Sequence, residues 1–199
     1  MRRGFKAEAE RHAAHLRNAI GSSEQETMRL PALARHLKVA VLSAERVLGG
    51  LDLLVALDQE QRGAWSAATL TVHGRTAVVY NPITMDGEVL DPAQAQCDGR
   101  TRSNVAHEFA HLVLRHELRQ IQRIGEHTFF ACDHEQEEEA NWLAGAMLLP
   151  RALLVAAARR GDSDDDIAKA NAVTPVMARF RLNATGARMQ AARGRSRCS

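Results

Sequence analysis

The chain has 199 residues, 45% hydrophobic and 25% charged, with a formal net charge of +2. That is enough apolar sequence for one sizeable core, and it excludes a disordered or fibrous chain and a general polyanion binder. Three cysteines, Cys97, Cys132 and Cys198, form no CxxC pair, which argues against a disulfide framework and for a reducing, cytoplasmic setting.

The chain opens Met1-Arg2-Arg3-Gly4-Phe5-Lys6, charged where a signal peptide would be apolar, and no apolar run is long enough to span a bilayer. No membrane association is expected. Ala9, Ala13, Leu16 and Ile20 recur at threes and fours and predict an amphipathic helix from Phe5 to Ile20, closed by Gly21. Leu30 to Leu37, with Pro31 in its first turn, predicts a second helix, and Val39 to Leu42 a short strand. Ser43 to Leu57 reads as helix and loop around Gly49-Gly50. Leu70 to Val72 and Thr76 to Tyr80 are β-branched runs separated by His73-Gly74-Arg75, the pattern of a hairpin. The stretch from Ile83 to Gly99, rich in Asp, Gly and Pro, reads as a loop.

The chemistry concentrates in the next stretch. His107-Glu108-Phe109-Ala110-His111 is an HExxH motif inside an apolar run without Gly or Pro, on a helix predicted from about Arg102 to Gln122 and stopped by Gly125. At 3.6 residues per turn, His107 and His111 lie one above the other on one face, where two imidazoles can grip one metal ion. Glu108 is placed to reach a water on that ion rather than the ion itself, the pattern of a zinc hydrolase. In such an enzyme the metal lowers the pKa of a water towards ~7 and the carboxylate takes its proton. Donors of this kind suit manganese and other divalent ions as well as zinc. In zinc peptidases a strand edge near the metal commonly holds an extended substrate, and Thr76, Val78 and Tyr80 on the second hairpin strand are the candidate edge.

A catalytic zinc takes three protein ligands. A third His six residues on, behind a Gly, is excluded, because Leu114 and Glu117 hold those two positions. His116, about 140° round the helix from His111, is a poor ligand and is expected to pack against or hydrogen-bond to a neighbouring segment. A loop with His127, Phe129, Phe130 and Cys132 precedes a helix predicted over about 135–149, which opens on Glu135, Glu137, Glu138 and Glu139. Glu137 shares a stripe with Ala140, Asn141 and Ala144, whose small side chains let this helix approach the first, whereas Glu138 shares its stripe with Trp142. Glu137 is therefore the candidate third ligand, and Asn141, one turn on, can hold the outer nitrogen of a ligand His. The other three acids are expected to form a solvated helix start that suits the macrodipole. For the oxyanion, His127 and His134 are unranked candidates.

Pro150 breaks the run, and Ala152 to Arg160 resumes as a helix to Gly161. Asp164 to Leu182 has a helix-turn-helix outline with Pro175 in the first turn of its second helix, followed by a basic tail from Arg193 to Ser199. The expected organisation is a metallopeptidase domain over 1–160 and a basic helical segment over 161–199. All candidate ligands precede Gly161, so that segment is expected to be dispensable for the site.

Two segments together resemble the ImmA/IrrE family of metallo-endopeptidases. They are Arg102 to His111, matching R-x-x-x-A-H-E-x-x-H, and Glu137 to Pro150, matching E-x-x-A-[DN]-x-x-A-x-x-L-L-x-P except that Met147 stands at the first Leu of its end, Met147-Leu148-Leu149-Pro150. With the order of the preceding elements, the likeness covers about residues 5 to 155. It implies an α+β, zincin-like fold, mainly helical with a small antiparallel sheet. It also implies zinc held by His107, His111 and Glu137, with Glu108 as the base. The substrate it implies is a transcriptional repressor of helix-turn-helix type, encoded on mobile elements or in stress-response loci. The competing reading is a DNA- or partner-binding regulator that uses the C-terminal helices and arginines. Against it, Asp164 to Asp166 head the first of those helices and no set of base-reading side chains stands out.

Overall fold

The computed structural model describes residues 1–63, 65–72, 75–116, 120–124, 127–131 and 133–195. Helix α1 (Phe5–Ala19) and helix α2 (Leu30–Leu37) lead into strand β1 (Ala40–Ser43), and two short helices, α3 (Ala44–Leu48) and α4 (Asp52–Glu60), follow. Strands β2 (Ala67–Val72) and β3 (Arg75–Tyr80) form the predicted hairpin, whose His73-Gly74 lies outside the described residues. Next come α5 (Pro92–Cys97) and α6 (Gly99–Leu114), then strands β4 (Gln120–Ile124) and β5 (His127–Ala131). Helices α7 (His134–Leu148), α8 (Arg151–Arg160), α9 (Asp164–Asn171), α10 (Pro175–Thr185) and α11 (Ala187–Arg195) complete an α+β, zincin-like arrangement. No single helix among the described residues is long and apolar enough to cross a membrane.

The sheet is mixed rather than purely antiparallel. Its order is β1-β3-β2, with β1 parallel and β2 antiparallel to β3. The pleat sends Ala77 and Val79 to one face, against Ala44, Leu54 and Ile83, and Val78 and Tyr80 to the other, into the main core. Thr76, Val78 and Tyr80, expected on an exposed edge, thus belong to the central strand, whose main chain is taken up on both sides. The parallel β1 has no turn signature joining it to β3 and comes in through a long crossover, which is why the hairpin pattern alone misplaces the edge.

Two further departures surround the metal helix. Gln94 and Asp91 make a reciprocal capping box with Pro92 in the first turn, so the predicted loop contains helix α5. Helix α6 ends at Leu114, not near Gln122, because Arg115 turns left-handed and His116 N–H bonds back to the His111 carbonyl at 3.0 Å. The chain then forms the β4–β5 pair, with His127, Phe129 and Phe130 in β5 and Cys132 outside the described residues.

The core runs through α1, α6 and α7 and continues into the C-terminal helices, where Ile167, Ala168, Val173, Ala178, Leu182 and Ala187 join the same buried cluster. Two wholly buried arginines close the C-terminal end of α7, where carbonyls lack helical partners and Pro150 offers no N–H. Arg17 donates to the Met147 carbonyl at 2.7 Å and to those of Ser23 and Glu26 at 2.8 Å. Arg181 donates to the Leu149 carbonyl at 3.1 and 3.0 Å and pairs with Glu10. A cation at this end also suits the helix dipole. Arg102, which opens the first motif, is buried likewise and donates to the carbonyls of Met28, Gln96 and Ala172. Its guanidinium ties α6 to three separate segments, including the turn before α10. Gly99 allows that turn to come close, since a Cβ there would sit 2.6 Å from the Val173 carbonyl carbon.

Candidate metal centre

Two capped helices carry the centre. Asp98 accepts from the Thr101 N–H at 2.7 Å to start α6, and a reciprocal capping box of Asp133 and Gln136 starts α7. The helices meet through Ala106, Ala110, Ala140 and Ala144, all essentially inaccessible, so small side chains allow the close approach that the stripe on α7 predicts. Along the flank of this contact lie the polar groups. His107 Nε2 and His111 Nε2 are 2.9 Å apart, and Glu137 brings Oε2 to 3.1 Å from the first and Oε1 to 3.5 Å from the second. One ligand atom from each of the three lies within 4.8 Å of the others.

The hydrogen bonds behind the rings decide what these atoms can do. Asn141 Oδ1 lies 3.0 Å from His107 Nδ1, and an amide oxygen can only accept, so the ring proton is on Nδ1 and the Nε2 lone pair faces inward. The Nε2 lone pair of His107, the His111 ring and the Glu137 carboxylate then lie close enough together to hold a metal ion. The electrostatics agree. His107 and His111 hold the Glu137 carboxyl well below the usual carboxylate range, against the opposing effect of burial. Burial disfavours a charged His107, but Glu137 and Glu108 outweigh it and raise its pKa. Two His and one Glu are a donor set found around catalytic zinc, and Glu137, 43% exposed, leaves the centre open on one side for a further ligand.

Glu108 points across to the sheet. Thr69 pairs with Val78 and shares its helix-facing side, and its hydroxyl donates to Glu108 Oε2 at 2.8 Å, leaving Oε1 available. Among the described residues strand β2 has β3 on one side only, so it is the sheet edge beside Glu108. Tyr80 turns elsewhere, into a cleft lined by Leu30, Ala34, Val41, Ala95 and Val105.

The remaining expectations separate. His134 is 90% exposed, 3.9 Å from Glu138, while the side chain of His127 lies outside what is described. Glu138 binds the terminal ammonium at 2.9 Å. Glu139, expected in solvent, is buried: it accepts from Arg2 Nε at 2.9 Å and faces His116 Nε2 at 3.6 Å. His116 has its Nδ1 3.0 Å from His111 Nδ1, and burial together with His111 pushes its pKa down. Sequence reasoning missed Thr69 and Glu139. For Thr69 the only local signal is a hydroxyl in phase with the apolar alternation of the hairpin; for Glu139 it is the two-residue step that puts it on a different side of α7 from Glu137.

A family model described as the IrrE N-terminal-like domain matches residues 93–183, from α5 into α10. Over those residues the chain is similar to the IrrE N-terminal-like peptidase domain. The ImmA/IrrE likeness read from the two motifs is thereby borne out, and the match in this IrrE-like chain runs past Gly161 into the C-terminal helices. No curated protein and no solved structure matches the chain.

Proposed function

We propose that this IrrE-like chain is a cytoplasmic, zinc-dependent endopeptidase whose substrate is a regulatory protein, such as a transcriptional repressor of helix-turn-helix type. His107, His111 and Glu137 are the ligands in this reading, Asn141 orients His107, and Glu108 is the general base. The observation that carries it is the convergence of the three ligand atoms beside a carboxylate that is not one of them. A divalent ion bound there, zinc or a substitute such as manganese, would lower the pKa of a water and polarise the scissile carbonyl. Glu108 Oε1 accepts the proton from the attacking water and returns it to the leaving amine. Thr69, bonded to Oε2, keeps the carboxylate from swinging away. The outer side of β2 offers main-chain donors and acceptors to an extended peptide, in the place first assigned to Thr76, Val78 and Tyr80. The repressor substrate is supported by the ImmA/IrrE likeness of the motifs.

The test combines the protein, zinc and a purified candidate repressor of helix-turn-helix type, with cleavage followed by mass spectrometry. Wild type is expected to cut at a discrete site, and Glu108→Gln to keep one equivalent of metal while losing at least about 100-fold in rate. Loss of metal in a folded Glu108→Gln would remove the base assignment, and zinc-independent cutting would remove the mechanism.

A further inference from the structure

Behind the second histidine lies a chain of polar groups that ligand binding alone does not explain. Arg115 adopts a left-handed backbone (φ 54°), strained for a residue with a Cβ, and this turn swings His116 back beneath His111. The two Nδ1 atoms meet at 3.0 Å. On the far side His116 Nε2 faces Glu139 Oε2 at 3.6 Å, and Glu139 Oε1 accepts from the Arg2 side chain at 2.9 Å and from its backbone N–H at 3.2 Å. The side chains of His116 and Glu139 are 7% and 6% exposed, far deeper than Glu137.

A hydrogen bond between two Nδ1 atoms needs the proton on one of them, and the choice decides whether His111 can bind metal at its inward nitrogen. With the proton on His111 Nδ1, its Nε2 lone pair is free, His116 Nδ1 accepts, and the His116 proton sits on Nε2 towards Glu139. With the proton on His116 Nδ1, a neutral His111 carries its own proton on Nε2, blocking the metal face, and a bare His116 Nε2 confronts a carboxylate. Glu139, kept ionised by Arg2, makes that second arrangement unfavourable.

We propose that His116 and Glu139 are positioning residues for His111, holding it in the tautomer that presents Nε2 to the metal, as Asn141 does for His107. This rests on the metal reading of the centre. Both ligand rings are then oriented from behind, one by an amide and the other by a carboxylate acting through a second imidazole.

Zinc affinity measured by competition with a chromophoric chelator tests the idea, with circular dichroism confirming the fold of each variant. His116→Leu, which keeps an apolar group in the pocket but accepts nothing from His111, should bind zinc about 10- to 100-fold more weakly than wild type. His116→Gln should recover most of that loss, because its amide oxygen can accept from His111 while its NH2 faces Glu139. Equal affinity in His116→Leu and wild type overturns the proposal, as does an equal loss in both variants, which would mean packing alone. A wild-type chain that takes up no zinc removes the metal reading itself, a result distinct from both. Imidazole nitrogen NMR of the zinc-loaded wild type needs no variant: a proton on His116 Nε2 supports the proposal, and one on Nδ1 overturns it.

Discussion

At the scale of single residues, the centre separates groups that carry charge to the metal from groups that only orient. In the proposed reading Glu137 would supply the negative charge opposite a dication; its two oxygens reach both ring nitrogens. Glu137→Ala is therefore expected to weaken zinc binding by several orders of magnitude. Asn141→Ala removes only the acceptor behind His107 and should cost about 10- to 100-fold. Glu135→Ala, at the exposed start of α7, should leave affinity within about 2-fold, since its effect is limited to the helix terminus. Titration of the three variants at one pH checks the order, and a Glu137→Ala protein that binds zinc like wild type would exclude Glu137 as the ligand. Glu139 does not belong with Glu135, as its buried place beside His116 shows.

At the scale of elements, what matters is how helix ends are held. The last turn of α7 relies on Arg17 and Arg181, brought from residues 130 and 32 positions away. Helix α9 is tied to its successors at its first residue: Asp164 accepts from Arg188 of α11 at 2.7 Å and from Arg179 of α10 at 3.1 Å. Arg188, against the opposing effect of burial and with help from Arg179, holds the Asp164 carboxyl below its ordinary 3.8. Because the folded-state pKa is the lower one, the unfolded chain takes up the proton first as the solution is acidified. The stabilisation is thus present above about pH 4 and lost as pH falls through the folded value. Both arginines are at least half exposed, so solvent screening limits the effect to less than about 1 kcal/mol and salt reduces it further. Melting temperatures of wild type and Asp164→Asn at low salt should differ at pH 6 and converge towards pH 3. A gap that persists unchanged in acid would show that the ion pairs are not its source.

At the scale of the whole molecule, the C-terminal helices share the core of the rest. Removing residues 161–199 would strip Ile167 and Leu182 from the common cluster and leave the Leu149 carbonyl without Arg181. Two buried side chains of that size represent about 3–6 kcal/mol, a large part of the roughly 5–15 kcal/mol that holds a domain folded. A chain ending at Arg160 is expected to melt at least about 10 °C lower, or not to fold, and to lose zinc for that reason alone. A cooperative melt at the wild-type temperature with zinc retained would show the segment to be the dispensable appendage that the positions of the ligands suggest. Three arginines of this segment are drawn into the structure: Arg181 lies inside it, and Arg179 and Arg188 are paired with Asp164.

Much of this was legible before any coordinates, because it depends on residues close together in the chain. The four-residue step from His107 to His111 places both rings on one helix face wherever that helix sits, and the Glu137, Ala140, Ala144 stripe marks the contact face of α7 by the same rule. The β-branched hairpin runs are equally local. Other features follow from contacts between distant segments, and no short-range pattern encodes them. Strand β3 is central because β1, more than 30 residues earlier, pairs along its other side. Thr69 becomes the partner of Glu108 because the sheet lies against α6, 39 residues on. Helix α6 stops at Leu114 without a glycine, and the turn at Arg115 delivers His116 to Glu139 on another helix. Helical periodicity could therefore propose the ligands and Asn141 beside them, while Thr69 and Glu139 came into view only when separate elements were packed together.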